Sequence, residues 1–310
     1  MTQPPDAFPS PPTPLPQTGD AAKAIGLMIL AVLLFSCLDA AAKYLATRAE
    51  VPVAQVIWVR FIVQFVLLMV MVPALGVLSL KSMFRTKKLG WQLVRSAMMA
   101  LTTAFNFLAL QYLRLDQTIT VMFLTPLIVA LAAGPLLGEW VGMRRLVAIL
   151  IGFAGILIVV RPGFAAVHPA ILYSFAAMAA YVAFALITRH IASFDPPLVT
   201  LFFSMFAGVL LGFPFAAATW QWDFGVPVWG MLLTLGILGG TGHYLFILAY
   251  RLAPAGIITP FIYLQIVSMS ALGYVIFGDI PDIWTAIGST VIVASGIYLF
   301  YREQAVKGTS

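Results

Sequence analysis

Hydrophobic positions in this chain come in long blocks, with neither the alternation of a strand nor the stripe of a soluble amphipathic helix. From about residue 23 the sequence runs in apolar stretches of 18 to 25 residues, separated by short breaks of Pro, Gly and charged residues. A helix of that length crosses the ~30 Å hydrocarbon core of a bilayer. Punctuated this way, the pattern predicts ten spans, over 23–46, 53–75, 90–113, 115–137 and 144–161, then 168–190, 197–219, 227–251, 254–277 and 282–302. Several connections are so short that consecutive helices are expected to be antiparallel neighbours. Residues 1–22 read differently. The first 19 hold seven prolines and no apolar period, which is the signature of a disordered tail. The first apolar run is longer than a signal-peptide core and lacks a small-residue cleavage site, so it is expected to stay as a helix. A short tail, 303–310, closes the chain.

Composition sharpens the class. Hydrophobic residues make up 62% of the chain and charged residues only 9%, with a mean hydropathy of +1.02. Soluble domains carry about 25% charged residues, so the reading is an all-α polytopic protein embedded in the lipid bilayer. The formal charge of +6 does not indicate a nucleic-acid partner, because the basic residues fall between the apolar blocks. They orient the chain instead. With the N-terminus inside, Lys23, Lys81, Arg85, Lys87, Lys88, Arg144, Arg145, Arg189, Arg251, Arg302 and Lys307 gather on the inner side. Only Lys43, Arg48, Arg114 and Arg161 fall on the outer side, so both termini are expected to be cytoplasmic. Trp220 and Trp222 fit an interfacial belt. Single Cys37 excludes an intramolecular disulfide.

The two halves of the chain resemble each other. "NFLALQYLRLDQT" (106–118) aligns with "HYLFILAYRLAPA" (243–255), placing Arg114 on Arg251. "LLGEWVG" (136–142) aligns with "VIFGDIPD" (275–282), placing Glu139 on Asp279. Each half, 23–161 and 168–302, has an odd number of predicted spans, so the second enters the membrane from the opposite side. Inverted repeats of this kind mark secondary transporters, with the substrate site near the midplane. No GxxxxGK[ST] sequence occurs, so no nucleotide is expected to drive transport. His168, His190 and His243 are dispersed, and no HExxH, GxSxG or Cys/His spacing is present. Neither a metal, a cofactor nor an enzymatic activity is therefore expected.

These marks carry a family resemblance. Thr125-Pro126 in the fourth span is followed thirteen residues later by Gly138-Glu139, an arginine sits in "WVRF" (58–61), and the chain closes on "YLQIVSMSALGYVIFGDIPDIWTAIGSTVIVASGIYLF" (263–300). Over residues 23 to 302 the chain resembles the drug/metabolite transporter superfamily, in its ten-helix branch with paired EamA-type repeats, and within it bacterial amino-acid exporters. The second half has Ile266 where a proline would match Pro126, with Pro260 lying earlier. The resemblance implies export of amino acids or similar small metabolites across the plasma (bacterial inner) membrane. Larger amphiphiles, or a structural membrane subunit without transport, are the alternatives.

Depth along the helices, at ~1.5 Å per residue, selects candidate substrate contacts. Pro126 and Gln265 fall near the midplane. A proline there frees a backbone carbonyl, which Thr125 could re-satisfy instead of touching substrate. Asn106 and His243 are counterparts in the repeat and so lie at mirrored depths. His243 reads either as a buried neutral histidine bonded to a neighbouring helix or as a cavity donor. Tyr263 and Gln265 point about 200° apart on a helix, so at most one faces a cavity squarely. Tyr181 in the sixth span and Trp58 near the outer mouth complete the set, and Pro126 and Pro260 are the expected kinks. Ala148, Gly152, Gly155, Gly288, Ser289 and Gly296 read as close helix packing, within one protomer or in a homodimer.

The stretch "SCLDAAAKYL" (36–45) puts Asp39 and Lys43 one turn apart on one face, an acid N-terminal to a base. Asp39 is the only carboxylate well inside a predicted span, so proton coupling through a carboxylate would rest on it. Arg60, on the next helix, lies at a depth of about 12 Å, matching about 11 Å for Asp39. A lone arginine in a span costs ~2.5–3.5 kcal/mol on insertion scales, and Asp39 is its expected partner, with Lys43 nearby. The three form a predicted gate or charge cluster in the outer leaflet. On the topology itself, a green fluorescent protein fused after residue 310 should fluoresce in cells. Alkaline phosphatase fused at the same place should be inactive.

Overall fold

In hydrocarbon a backbone has no water to bond, so an isolated apolar segment closes its hydrogen bonds on itself as a helix. The computed structural model describes residues 18–74, 76, 79–125, 128, 129, 132, 143–160, 168–191, 194–252 and 259–307, and among them every regular element is helical. The proline-rich tail to residue 17, Pro126, Gly138, Glu139 and Arg161 lie outside the described residues, as does the side chain of Pro260. The first half comprises α1 (Thr18–Thr47), α2 (Val53–Ala74), a short α3 (Leu80–Met83), α4 (Leu89–Leu110), α5 (Leu115–Met122) and α6 (Met143–Val160). The second comprises α7 (Ile171–Ile191), α8 (Pro197–Phe203), α9 (Phe206–Ala218), α10 (Val226–Leu252), a 3-10 turn (Thr259–Tyr263), α11 (Leu264–Leu272), a π-helical turn (Gly273–Phe277) and α12 (Ile283–Lys307). Among the described residues, six helical segments are long and apolar enough to cross a membrane: Ala22–Thr47, Val53–Val72, Leu89–Leu110, Ile171–Thr188, Leu198–Ala218 and Val226–Ala249. Shorter apolar helices cover Phe261–Phe277 and Ile283–Ser295.

Three predicted spans depart from a continuous helix. The span from residue 115 is regular only as far as Met122, after which the chain turns at Phe123 and Leu124. The span from 197 divides between α8 and α9 at Ser204 and Met205. There the Ser204 hydroxyl donates back to the Thr200 carbonyl (2.8 Å), a bond that competes with the helical ladder. The ninth predicted span passes through 3-10, α and π geometry in succession and ends on Gly278 in the left-handed region (φ 74°).

Chain neighbours are not the main packing partners, contrary to the expectation from the short connections. The turn at residues 48–52 closes tightly, with Val51 N–H on the Leu45 carbonyl (2.9 Å), but α1 then packs chiefly on α10. Phe35 explains this choice: its ring lies over Gly242 of α10, where a Cβ would come within 2.7 Å of it. In the same way α4 packs on α7, α6 on α12, and α2 on α9 and α10. The small residues of α6 and α12 therefore meet within one chain. A Cβ on Gly155 would fall 2.8 Å from Ile292 Cγ1 and 2.9 Å from the Gly288 carbonyl. Gly155→Ala should thus cost ~1–3 kcal/mol by overpacking against backbone that cannot yield. Gly230→Ala, at a helix position with open space, should leave stability unchanged or improve it. Thermal unfolding of both variants in detergent checks the contrast.

Candidate functional site

The site is built around one face of α4. Gln92, Arg95, Ser96, Met99, Thr102, Thr103 and Phe107 are among its buried residues, and their spacing of three and four puts them on one side of the helix. In a membrane each polar group on that face needs a partner inside the protein. Ser96 meets the break between α8 and α9: its hydroxyl accepts from Ala207 N–H (2.8 Å) and donates to the Ser204 carbonyl (3.1 Å). Arg95 reaches the same break, its Nη1 donating to the Thr200 carbonyl (2.9 Å) and Ser204 Oγ (2.6 Å). Its Nε donates to Thr188 Oγ1 of α7 (2.6 Å), and Phe184 lies under the guanidinium at 4.3 Å.

Farther along α4 the same face borders a cavity of about 390 Å³. Asp39 of α1, Arg60 of α2, Asn106 of α4, Tyr181 of α7, His243 of α10 and Gln265 of α11 all line it, together with Thr125. The sequence-derived candidates thus converge from six helices. Asn106 Nδ2 donates to Asp39 Oδ1 (3.1 Å), and Arg60 Nη1 donates to Thr103 Oγ1 (2.7 Å). Three buried atoms at this cavity, Arg60 Nε, Thr125 Oγ1 and His243 Nε2, have no hydrogen-bond partner among the described residues. The His243 ring is held against Phe35 at 4.9 Å between centroids. The turn at Phe123 and the 3-10 turn at Tyr263 meet edge to face beside the cavity, with ring centroids 5.0 Å apart. The cavity wall therefore contains an unwound stretch from each half of the chain.

Several expectations are corrected by this geometry. Asp39 and Arg60 are within electrostatic reach but make no N···O contact inside 4.0 Å; Asn106 and Thr103 of α4 are their hydrogen-bond partners instead. Lys43 turns away from both. Its Nζ is 2.9 Å from Asp279 Oδ2 and 4.6 Å from the Phe277 ring, joining α1 to the end of the ninth predicted span. Trp58 is not at the cavity: its indole donates to the Val209 carbonyl (2.9 Å) and its ring meets Phe213 and Trp220. Tyr263 faces a separate space of about 490 Å³ with Asp116 and Ser289, on the far side from Gln265. Sequence reasoning missed Thr103, the Arg95 staple and Asp279 as the partner of Lys43. The stripe of polar residues on α4 was the available signal for the first two.

A polar clasp closes the end of the bundle where α4 begins. Asp195, between α7 and α8 and only 8% exposed, accepts from Thr86 Oγ1 (2.5 Å), Gln92 Nε2 (2.9 Å) and the Lys87 N–H (3.0 Å). Burial pushes its carboxyl up, but these bonds outweigh burial and hold it below the ordinary carboxylate range. Trp58 and Trp220 sit at the opposite end in a cluster with Trp222 and Trp229.

A family model matches the chain twice, over residues 22–161 and 168–302, and describes the EamA-like transporter family. The chain belongs to that family. A riboflavin transporter of Vibrio cholerae is 26% identical over 89% of this chain and 92% of its own length. An S-adenosylmethionine uptake transporter of Rickettsia bellii is 24% identical over 90% of this chain and 94% of its own. A pseudopaline exporter of Pseudomonas aeruginosa is 25% identical over 88% and 94%. A solved crystal structure superposes with a TM-score of 0.62 at 22% identity, covering 89% of this chain and 96% of that one, and shows the same fold. The protein is a multi-pass member of a membrane transporter family, and its relatives carry the names of transporters rather than enzymes.

The clasp gives a pH test. Because the folded carboxyl of Asp195 titrates below its unfolded value of ~3.9, its stabilisation is complete above that value and is lost as pH falls through the folded one. Asp195→Asn should therefore lower the melting temperature at neutral pH, and the gap to the wild type should close only in acid.

Proposed function

We propose that this transporter is a ten-span secondary carrier made of two inverted five-span repeats, 23–161 and 168–302, with both termini cytoplasmic. Its substrates are amino acids or similar small metabolites, moved by alternating access. The observation that carries the reading is the central cavity, where Asp39, Arg60, Asn106, His243 and Gln265 converge beside two unwound helical stretches. Discontinuous helices meeting near mid-depth are where such carriers bind substrate. A cavity offering one carboxylate, one guanidinium and several amide and hydroxyl groups matches a zwitterion: the Arg60 guanidinium answers a carboxylate and Asp39 an ammonium. Arg60 and Asp39 each hold one bond to α4, which keeps them apart and available rather than neutralised by each other.

The packing pattern supports the repeat. On exchange of the two halves, the pairing of α1 with α10 becomes that of α7 with α4, while α6 with α12 and α2 with α9 map onto themselves. The doubled family match divides the chain at the same place. The resemblance to amino-acid exporters favours export, and the relatives include both an uptake transporter and an exporter. No P-loop motif occurs in the chain, so a gradient of substrate or ions is the energy source.

Proteoliposomes preloaded with unlabelled amino acids should take up the labelled species by counterflow, faster than empty vesicles. Asp39→Asn and Arg60→Gln should each reduce that flux by about tenfold or more, the loss expected for a charged hydrogen-bonding partner. Absence of counterflow across a broad amino-acid panel rejects this substrate class.

A further inference from the structure

The central cavity continues into a second chamber of about 230 Å³, and Met99, Tyr181, His243 and Phe246 line both. The new wall is made by Arg95, Thr188, Thr200, Ser204 and Asp195. Arg95 is 5% exposed and has no carboxylate within ion-pair distance among the described residues. Its hydrogen bonds use Nε and Nη1, and Nη2 has no partner among the described residues. Nη2 is also absent from the buried atoms lacking a partner, so it keeps exposed surface on a residue that lines the chamber. Asp195 faces the same space, but both its oxygens are taken by donors at residues 86, 87 and 92. At the boundary stands His243, whose Nε2 is buried without a partner.

We infer that this chamber is an oxyanion subsite, in which Arg95 binds a carboxylate or phosphate group of the transported molecule while the central cavity holds the rest of it. The inference rests on the transport reading above and adds a specificity to it. A guanidinium fixed on one edge by Thr188, Thr200 and Ser204 presents its remaining nitrogen at a set angle, which suits the planar fork geometry of oxyanion recognition. Holding the fork from behind also means that little side-chain freedom is lost on binding. Along α4, Arg95 and Thr103 are eight residues apart, about 12 Å of helix. The ligand that uses both chambers is therefore longer than a single amino-acid backbone and carries an acidic group at one end. Phe184 and Phe246 flank the passage and favour a middle portion with apolar surface.

The test uses the full-length protein in lipid nanodiscs and pairs acids with their amides: glutamate with glutamine, succinate with succinamide, and inorganic phosphate as a separate arm. Thermal shifts titrated against concentration should show the wild type preferring each acid over its amide. In Arg95→Gln that preference should fall by about tenfold or more, the loss of a charged hydrogen bond. Gly230→Ala, at a helix position with open space outside the lining of both chambers, should keep it. A stronger response to phosphate than to the carboxylates assigns the group as phosphate. The inference is overturned if the wild type shows no preference for acid over amide, or if the preference survives Arg95→Gln. Should Arg95→Gln fail to fold, Arg95→Lys decides: an unchanged preference with the fork replaced by a point charge overturns the inference. Counterflow is measured on the same preparations. Flux without acid preference removes the subsite and leaves transport standing, whereas acid binding without flux does the reverse.

Discussion

Hydrocarbon offers no partner to a polar group, and that single constraint organises this molecule around α4. A polar or charged side chain left unpaired at membrane depth costs several kcal/mol, so a helix with a polar face must be surrounded by groups that answer it. Successive turns of α4 do this in order. Gln92 holds the Asp195 clasp, Arg95 and Ser96 close the break between α8 and α9, Thr103 anchors Arg60, and Asn106 holds Asp39. The break itself is permitted by the same residues. Without Ser96 the Ala207 N–H would be an orphan in the bilayer interior, and a continuous helix would be the cheaper structure.

This arrangement separates charges that would otherwise collapse together. Asp39 and Arg60 lie at matched depth on α1 and α2, yet each is drawn to a neutral partner on α4 instead of to the other. A direct ion pair would neutralise both and leave the cavity with little to offer a polar ligand. Keeping them apart leaves a cavity with two poles of opposite sign and unpaired buried atoms at Arg60, Thr125 and His243. Such a cavity is under-satisfied when empty, which favours whatever small polar molecule completes its hydrogen bonds.

The sequence carried the helical, membrane-embedded class because block hydrophobicity reports on the bilayer directly. The helical class and the family were legible, and Asn106, Tyr181, His243 and Gln265 were singled out as substrate candidates, whereas Asp39 and Arg60 were assigned to a separate outer charge cluster and line the same cavity. What was not legible depends on which helix faces which. Depth matching suggested Asp39 with Arg60 but is blind to the neutral partners that α4 offers each of them. Lys43 was grouped with Asp39 by its spacing along α1, whereas its partner Asp279 lies 236 residues away in sequence. Trp58 has the right depth for the outer mouth but the wrong azimuth, and a single unaligned sequence contains no azimuth. The broken spans were only partly visible. Pro126 and Pro260 flagged two of them, but the break at Ser204 has no proline of its own and depends on a serine supplied by α4.

The Lys43–Asp279 pair has a consequence for how the protein is made. Lys43 is 8% exposed in the finished structure, and its counter-charge follows it by 236 residues along the chain. At translation rates of ~5–20 residues per second, the 236 intervening residues take roughly 12 to 50 s to emerge. Throughout that interval α1 is already in the membrane with its lysine unanswered, and the long side chain must reach up to the headgroups for water. The first half is therefore a provisional structure. It acquires its final contacts only when the closing segment arrives, and a ribosome that stops early leaves behind a membrane protein marked by one unpaired charge.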